Sequence, residues 1–347
     1  MKKVIVGISG GVDSSVAALL LKKQGYEVIG LTFIFTDNFD SDDAVKVCDT
    51  LGIEHHIIDY REEFTNTVIN SFINDYNRGI TPNPCVLCNK EVKFNFLYKK
   101  MLEYNCDYIA TGHYARIIDG KLYKSDDLNK DQTYFLARLS EEQLSRLLLP
   151  LEGITKEKVR EIAKENNLIN ANKKDSTDVC FITGNFREYM DSMITNVEGD
   201  IVDISTNRVV GKHTGLTKYT IGQRKGLNIG GASDRLFVVG KNVDENILYV
   251  ALGDNNEYLY STSCILIDVN FNCDIRPNKC LAKFRYRSSD ILVELDYLDD
   301  NTVEVKYNQT KGVTPGQACV FYIDDMCIGG GIIDTVKKND EKLWYLL

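Results

Sequence analysis

Hydrophobic positions in the first part of the chain alternate between two periods. Val4 to Ile8 is a short apolar run, Ser14 to Lys23 carries a helical repeat that stops at Gly25, and Val28 to Phe35 is a second apolar run. Ser41 is placed to cap a helix with Ala44, Val45, Val47, Cys48 and Leu51 on its apolar side and Gly52 as its stop, and Glu54 to Tyr60 then alternates as a strand. Helices are predicted over Arg61 to Asn77 and Cys88 to Tyr104, with a fourth strand at Tyr108 to Ala115. This alternation predicts an α/β fold, a doubly wound parallel sheet with ligands at the carboxyl ends of its strands.

Ser140 to Gln143 spells a capping box, and Thr155 caps a helix bearing Val159, Ile162 and Ala163, so the first domain extends over 1–198. From Gly199 the texture changes to short strands, such as Val238 to Lys241 and Ile247 to Ala251 around an Asp244 to Asn246 turn. A small central β domain over 199–261 is expected. Asp290 to Leu298, the Asp299 to Asn301 turn and Val303 to Tyr307 read as a hairpin within a second all-β stretch, 262–347, whose spacing suggests a compact barrel.

Composition narrows the class without naming an activity. With 347 residues, 44% hydrophobic and 26% charged, the chain suits a multidomain globular protein, and no apolar stretch approaches the roughly 20 residues a bilayer needs. A cytoplasmic location with no membrane partner is expected. The ten cysteines are irregularly spaced, unlike a secreted disulfide framework. A net charge of −9 disfavours tight nonspecific binding to nucleic acid, while leaving room for a local basic face.

The chemistry begins at Gly7-Ile-Ser-Gly-Gly-Val-Asp-Ser14, directly after the first strand. Ser9, Gly10 and Gly11 can turn with their N–H groups inward, and the following helix adds the positive end of its dipole, which makes an anion site. Asp13 and Ser14 read as helix caps or magnesium contacts. The order lacks the Gly-x-x-x-x-Gly-Lys of a Walker loop and resembles the pyrophosphate loop of ATP pyrophosphatases. A second signal is Cys85-Val-Leu-Cys88, stiffened by Pro82 and Pro84. With Cys88 at a helix N-terminus and Lys90 and Lys93 beside it, thiolate is favoured over thiol, giving a nucleophile or a metal ligand. Cys180, between Val179 and Phe181, reads by itself as a buried strand residue. Cys48, Cys106, Cys264, Cys273, Cys280, Cys319 and Cys327 read as packing.

Taken with Thr81-Pro-Asn-Pro84, Cys88 to Glu91, Ala110 to Tyr114, Asn129 to Gln132, Lys174 to Thr177, Cys180 to Ile182, Gly222 to Gly226, Phe284 to Arg287, Pro315 to Gln317 and Gly329 to Gly331, the chain resembles the bacterial tRNA-specific 2-thiouridylases of the MnmA family over nearly its full length. The resemblance implies ATP and Mg2+ at Gly7, Ile8, Ser9, Gly10, Gly11, Val12, Asp13, Ser14, Phe33 and Gly112. It implies adenylation of O2 of the wobble uridine of tRNA, by family the Lys, Glu and Gln acceptors. Cys180 would carry a persulfide received from a partner sulfurtransferase, and Cys88 would assist delivery, leaving a Cys88–Cys180 disulfide. Asn83, Pro84 and Cys85 would line the base pocket, and His113, Lys130, Asp131, Gln132, Arg285, Tyr286 and Gln317 would contact tRNA.

One position departs from the family pattern: Cys85 stands where many members carry an acidic residue. Cys85, Cys88 and Cys180 then resemble the ligand set of thiolases that hold a 4Fe-4S cluster with one open iron, so persulfide and cluster routes both stand at this level. Alternatives are another ATP pyrophosphatase, such as an amidotransferase-type synthetase or a thiolase for another base, or a tRNA-binding protein without chemistry.

Overall fold

The computed structural model describes residues 1–174, 179–182, 184–227, 229–230 and 234–346. Its first unit is built on five parallel strands: β1 (Lys3–Gly7), β2 (Glu27–Ile34), β3 (Glu54–Asp59), β4 (Tyr108–Ala110) and β7 (Leu147–Leu148), in the order β3-β2-β1-β4-β7. The central strand β1 carries Val4, Ile5 and Val6 at zero exposure, because helices cover both faces of the sheet and leave it no wet side. Helix α1 (Val12–Lys23) packs Val16, Ala17, Ala18 and Leu21 onto one face, and the helix Phe94–Glu103 packs Phe94, Leu97 and Met101 onto the other. Burial of each such large side chain stabilises the unit by about 1.5–3 kcal/mol.

Three local expectations shift. The fourth strand ends at Ala110, and Thr111 to Ala115 leave the sheet. The helix expected from Cys88 starts at Pro84, with the Asn83 side chain accepting from the Val86 N–H at 3.3 Å. Both that helix and the one after β3 widen into a π turn, at Cys88–Lys93 and Thr65–Ile69.

The central sheet orders β10 (Leu236–Asn242), β11 (Ile247–Leu252), β8 (Gly199–Asp203) and β9 (Arg208–His213), with β11 and β8 parallel. The last unit is a closed six-stranded barrel in which β12 (Tyr260–Phe271), β15 (Val303–Lys311), β14 (Ile291–Tyr297), β13 (Lys279–Lys283), β16 (Ala318–Ile323) and β17 (Met326–Lys338) return to β12. The barrel is continuous with the first unit. A hairpin of β5 (Arg116–Ile118) and β6 (Lys121–Tyr123) pairs with the edge of β17, and Ala318, Val320, Tyr322 and Cys327 share one core with Ile5, Phe94 and Tyr134. The Tyr134 hydroxyl donates to the Ala318 carbonyl at 2.8 Å inside this core.

Candidate functional site

The loop after β1 is held from several sides. Gly10 has φ +71°, and a Cβ there would press on the Asp43 Cβ at 3.2 Å and the Ala44 amide nitrogen at 3.3 Å, so glycine is required. Helix α1 begins at Val12 with Gly11 as its N-cap, correcting the expectation that Asp13 or Ser14 caps it. The Ser14 and Ser15 hydroxyls instead donate to the Gly11 carbonyl at 3.1 and 2.9 Å, and the Ser9 N–H donates to the Ser14 oxygen at 3.2 Å. Asp13, in the first helical turn, accepts from Lys156 Nζ at 2.6 and 2.8 Å and from the Tyr114 hydroxyl at 2.8 Å. Asn170 donates to the Gly10 carbonyl and the Ser15 hydroxyl, and Lys173 donates to the Gly10 carbonyl at 3.3 Å and to Asp43 at 2.6 Å.

Lys156, Asn170 and Lys173 were not legible as site residues. Lys156 did leave one signal: a lysine in the first turn of a helix opposes the dipole unless an anion waits for it.

Three consecutive residues join this loop to a second feature. Thr111 lies beside Gly7, with its methyl 3.8 Å from where a Gly7 Cβ would stand. Gly112 abuts the α1 N-terminus so closely that a Cβ would lie 2.6 Å from the Asp13 carbonyl carbon and 2.7 Å from the Ser14 nitrogen. His113 then lines a cavity of about 210 Å³ together with Phe64, Val68, Pro84, Cys85, Cys88, Asn89, Lys93, Gln132, Phe135, Val179, Cys180 and Phe181. The His113 ring is fixed by a 2.8 Å hydrogen bond between Nδ1 and the Thr111 hydroxyl, and burial with the nearby Lys93 charge pushes its pKa down to about 3. The ring is therefore neutral at physiological pH.

Cys85, Cys88 and Cys180 face this one cavity, although Cys180 lies 92 positions from Cys88. Cys180 keeps exposed surface at the mouth, while the protein around it still raises its thiol. Cys88 is buried, and desolvation pushes its thiol up to about 11 against the lowering effect of Lys93. That reverses the expectation of a dipole-activated thiolate. The helix N-terminus lies at Pro84, one turn before Cys88, and burial outweighs the single cation. Lys90 does not help, because Asp268 on the barrel holds it at 3.0 Å and Glu91 at 3.2 Å. Among the described residues no three His, Cys, Asp or Glu side chains are gathered as a metal-ligand set. Among the described residues no carboxylate lines the cavity.

The remaining expected residues divide. Phe33 is buried on β2 against Phe35 and Tyr60, with ring centroids 5.6 and 5.4 Å away, and forms wall rather than surface. Gln132 lines the cavity and accepts from the Tyr114 N–H at 2.9 Å. Asp131 is buried and holds its own turn through the Ser125 N–H and the Thr133 hydroxyl, so it offers no surface. Lys130 stays half-exposed beside it. Arg285 donates to the Ile221 carbonyl and the Thr314 hydroxyl, Gln317 donates to the Thr81 carbonyl at 2.7 Å, and Tyr286 packs on Phe135 with centroids 4.4 Å apart. These three, expected on a tRNA face, are engaged in contacts between domains. Asp175 to Thr177 of the expected motif lie outside the described residues, and among the described residues no helix is long and apolar enough to cross a membrane.

Comparison with known proteins agrees with this architecture. Family models described as a tRNA methyl transferase HUP domain, a tRNA methyl transferase PRC-barrel domain and an aminomethyltransferase beta-barrel domain match residues 2–184, 187–252 and 261–333. A tRNA-specific 2-thiouridylase MnmA of Geobacillus thermodenitrificans is 47% identical over 99% of this chain and 98% of its own. That of Mycoplasmopsis synoviae is 45% identical over 99% of both. A solved 4-thiouridine synthetase–RNA complex with bound ATP covers 55% of this chain and 49% of its own at 18% identity and a TM-score of 0.37, an overlap on which no argument rests. Full-length identity at this level, over a pyrophosphate loop and a thiol cavity joined by Thr111 to His113, makes the chain a member of the tRNA-specific 2-thiouridylase family.

Proposed function

We propose that this protein uses ATP to replace O2 of the wobble uridine of tRNA by sulfur. The observation that carries the reading is the Thr111-Gly112-His113 bridge, one end of which packs on the anion loop while the other lines the cavity of Cys85, Cys88 and Cys180. Nucleotide activation and sulfur delivery would thus share a border.

ATP lies along Gly7 to Ser14, with its pyrophosphate on the amides of Ser9 to Gly11 and the N-terminus of α1, and Gly112 lets the strand end come close. Mg2+ accompanies the phosphates, and Asp13, tied to Lys156 and Tyr114, orients the helix start rather than standing free. Attack of uridine O2 on the α-phosphorus forms the C2–O–AMP ester, releases pyrophosphate and costs the base its N3 proton. Cys180, exposed at the mouth, receives persulfide sulfur from a sulfurtransferase. Its terminal sulfur adds at C2, and AMP leaves with the C2–O bond. The Cys88 thiol then gives up its proton as it attacks Sγ of Cys180, the S–S bond breaks, and 2-thiouridine departs and takes up a proton at N3. A Cys88–Cys180 disulfide remains for an external thiol to reduce. Asn83, Pro84, Cys85, His113 and Gln132 wall the extruded base, a step cheap in a single-stranded anticodon loop. Lys130 meets the tRNA backbone; Lys, Glu and Gln acceptors and a cytoplasmic location belong to the same reading, which divides the chain at 198 and 261.

The test is a reaction containing wobble-uridine tRNA, ATP and a persulfide donor, followed by mass analysis of the nucleosides. One 2-thiouridine per AMP supports the reading, and AMP without 2-thiouridine overturns it.

A further inference from the structure

Lys241, on β10 of the central unit, is 1% exposed and has no carboxylate partner among the described residues. Among the described residues its one side-chain hydrogen bond runs from Nζ to the Gly79 carbonyl, at 3.1 Å, in a small void also lined by Ile221, Pro315 and Leu346. A buried ammonium with one neutral partner does not repay its desolvation, and an apolar side chain of the same length would fill the space at lower cost. Stability therefore does not explain this lysine; the residue it holds does.

Gly79 closes the helix Asn70–Asn77. With φ +76° it occupies the left-handed position after the cap, its N–H donates to the Tyr76 carbonyl, and the Ile80 N–H reaches the Asp75 carbonyl. An N–H donor belongs at such a helix end, where the last carbonyls lack helical partners. The four residues that follow, Ile80 to Asn83, form a strap into the helix that carries Cys85 and Cys88. The barrel grips the same strap. The Thr81 N–H donates to the Pro315 carbonyl at 3.3 Å, Gln317 donates to the Thr81 and Pro82 carbonyls, and a Cβ on Gly316 would lie 2.2 Å from Ile80. Pro82 and Pro84 stiffen the path, so a shift at Gly79 reaches the cysteines rather than dissipating.

We propose that Lys241 is a positioning residue for sulfur transfer, the central unit's half of a two-domain clamp that sets the Ile80 to Asn83 strap and through it the placement of Cys85 and Cys88. The clamp joins two units that carry no cysteine of the cavity to the one segment that carries two. This role rests on the thiolation reading above, but the clamp itself is measurable without it.

The experiment compares the full chain with its Lys241→Met variant. Melting temperature reports folding, iodoacetamide labelling of Cys88 in ligand-free protein reports the strap, and 2-thiouridine formed per AMP released, with Cys180 preloaded by the same persulfide donor, reports coupling. The clamp predicts a variant that melts no lower than wild type, labels Cys88 about tenfold faster through local opening, and forms 2-thiouridine per AMP about 10–100-fold less well, the loss expected of a displacement near 1 Å. Labelling within twofold of wild type overturns the clamp, and wild-type coupling overturns the positioning role. If the methionine variant does not fold, Lys241→Gln is read by the same three measurements. A wild type that releases AMP without 2-thiouridine refutes the thiolation reading, while the labelling result still judges the clamp.

Discussion

Replacing Gly112 by alanine tests the bridge between the two halves of the site. The new methyl would stand 2.6 Å from the Asp13 carbonyl carbon, 2.7 Å from the Ser14 nitrogen and 2.9 Å from the Asp13 oxygen, all backbone atoms that cannot swing aside. It must retreat by about 0.8 Å to reach ordinary contact, pushing the start of α1 or the end of β4. Overpacking of this kind costs about 1–3 kcal/mol. If the strain falls on the nucleotide-bound geometry, ATP binding weakens by about 5–150-fold, at 1.4 kcal/mol per decade. tRNA-dependent exchange of labelled pyrophosphate into ATP measures the ATP KM, with Gly230→Ala as control because nothing among the described residues lies within 4 Å of a Cβ there. An alanine variant whose ATP KM stays within twofold of wild type would refute the argument that Gly112 is the contact between strand end and loop.

Cys180→Ser and Cys88→Ser should each lower 2-thiouridine formation by about 100-fold or more, because they remove the sulfur carrier and the thiol that releases it. In ligand-free protein, Cys88 alkylation should be slow at pH 8 and climb toward pH 11, since burial pushes its thiol up to about 11, whereas a labelling midpoint below pH 9 would show that the cavity is wet. Lys241 links stability to pH. Its ordinary pKa of 10.5 is pushed down to about 7 by burial, so between these values the unfolded chain binds one more proton than the folded chain, and stability rises with pH across that window. Lys241→Met should flatten this dependence in denaturant melts between pH 7 and 10, and an unchanged slope would contradict a buried neutral amine.

What the sequence revealed is what is local. The anion loop, the alternation of strand and helix and the capping box at Ser140 are encoded within a few residues each, and they appear where the pattern places them. The thiol state of Cys88 differs from the expectation because a helix dipole can be inferred from sequence and desolvation cannot. Its burial beneath Phe64, Val68 and Phe181 depends on segments twenty or more positions away on one side and over ninety on the other. The π turn at Cys88–Lys93 was invisible for a related reason: a 3.6-residue period has no mark for one extra residue. For Arg285 and Gln317 the resemblance implied tRNA contacts, and what the sequence did not show is that one Arg285 nitrogen donates to the Ile221 carbonyl and the Gln317 amide to the Thr81 carbonyl, both in other units. The β5–β6 hairpin escaped notice because strands of three residues leave too little alternation to detect, although it ties the first unit to the barrel.

The most direct test of the central claim is a single-turnover reaction of the reduced protein, preloaded with persulfide, mixed with ATP and wobble-uridine tRNA and quenched over time. Intact-protein and nucleoside mass analysis should find 2-thiouridine, AMP and a Cys88–Cys180 disulfide growing together in equal amounts. Sulfur reaching the base while both thiols stay reduced, or with the disulfide elsewhere, would contradict the account.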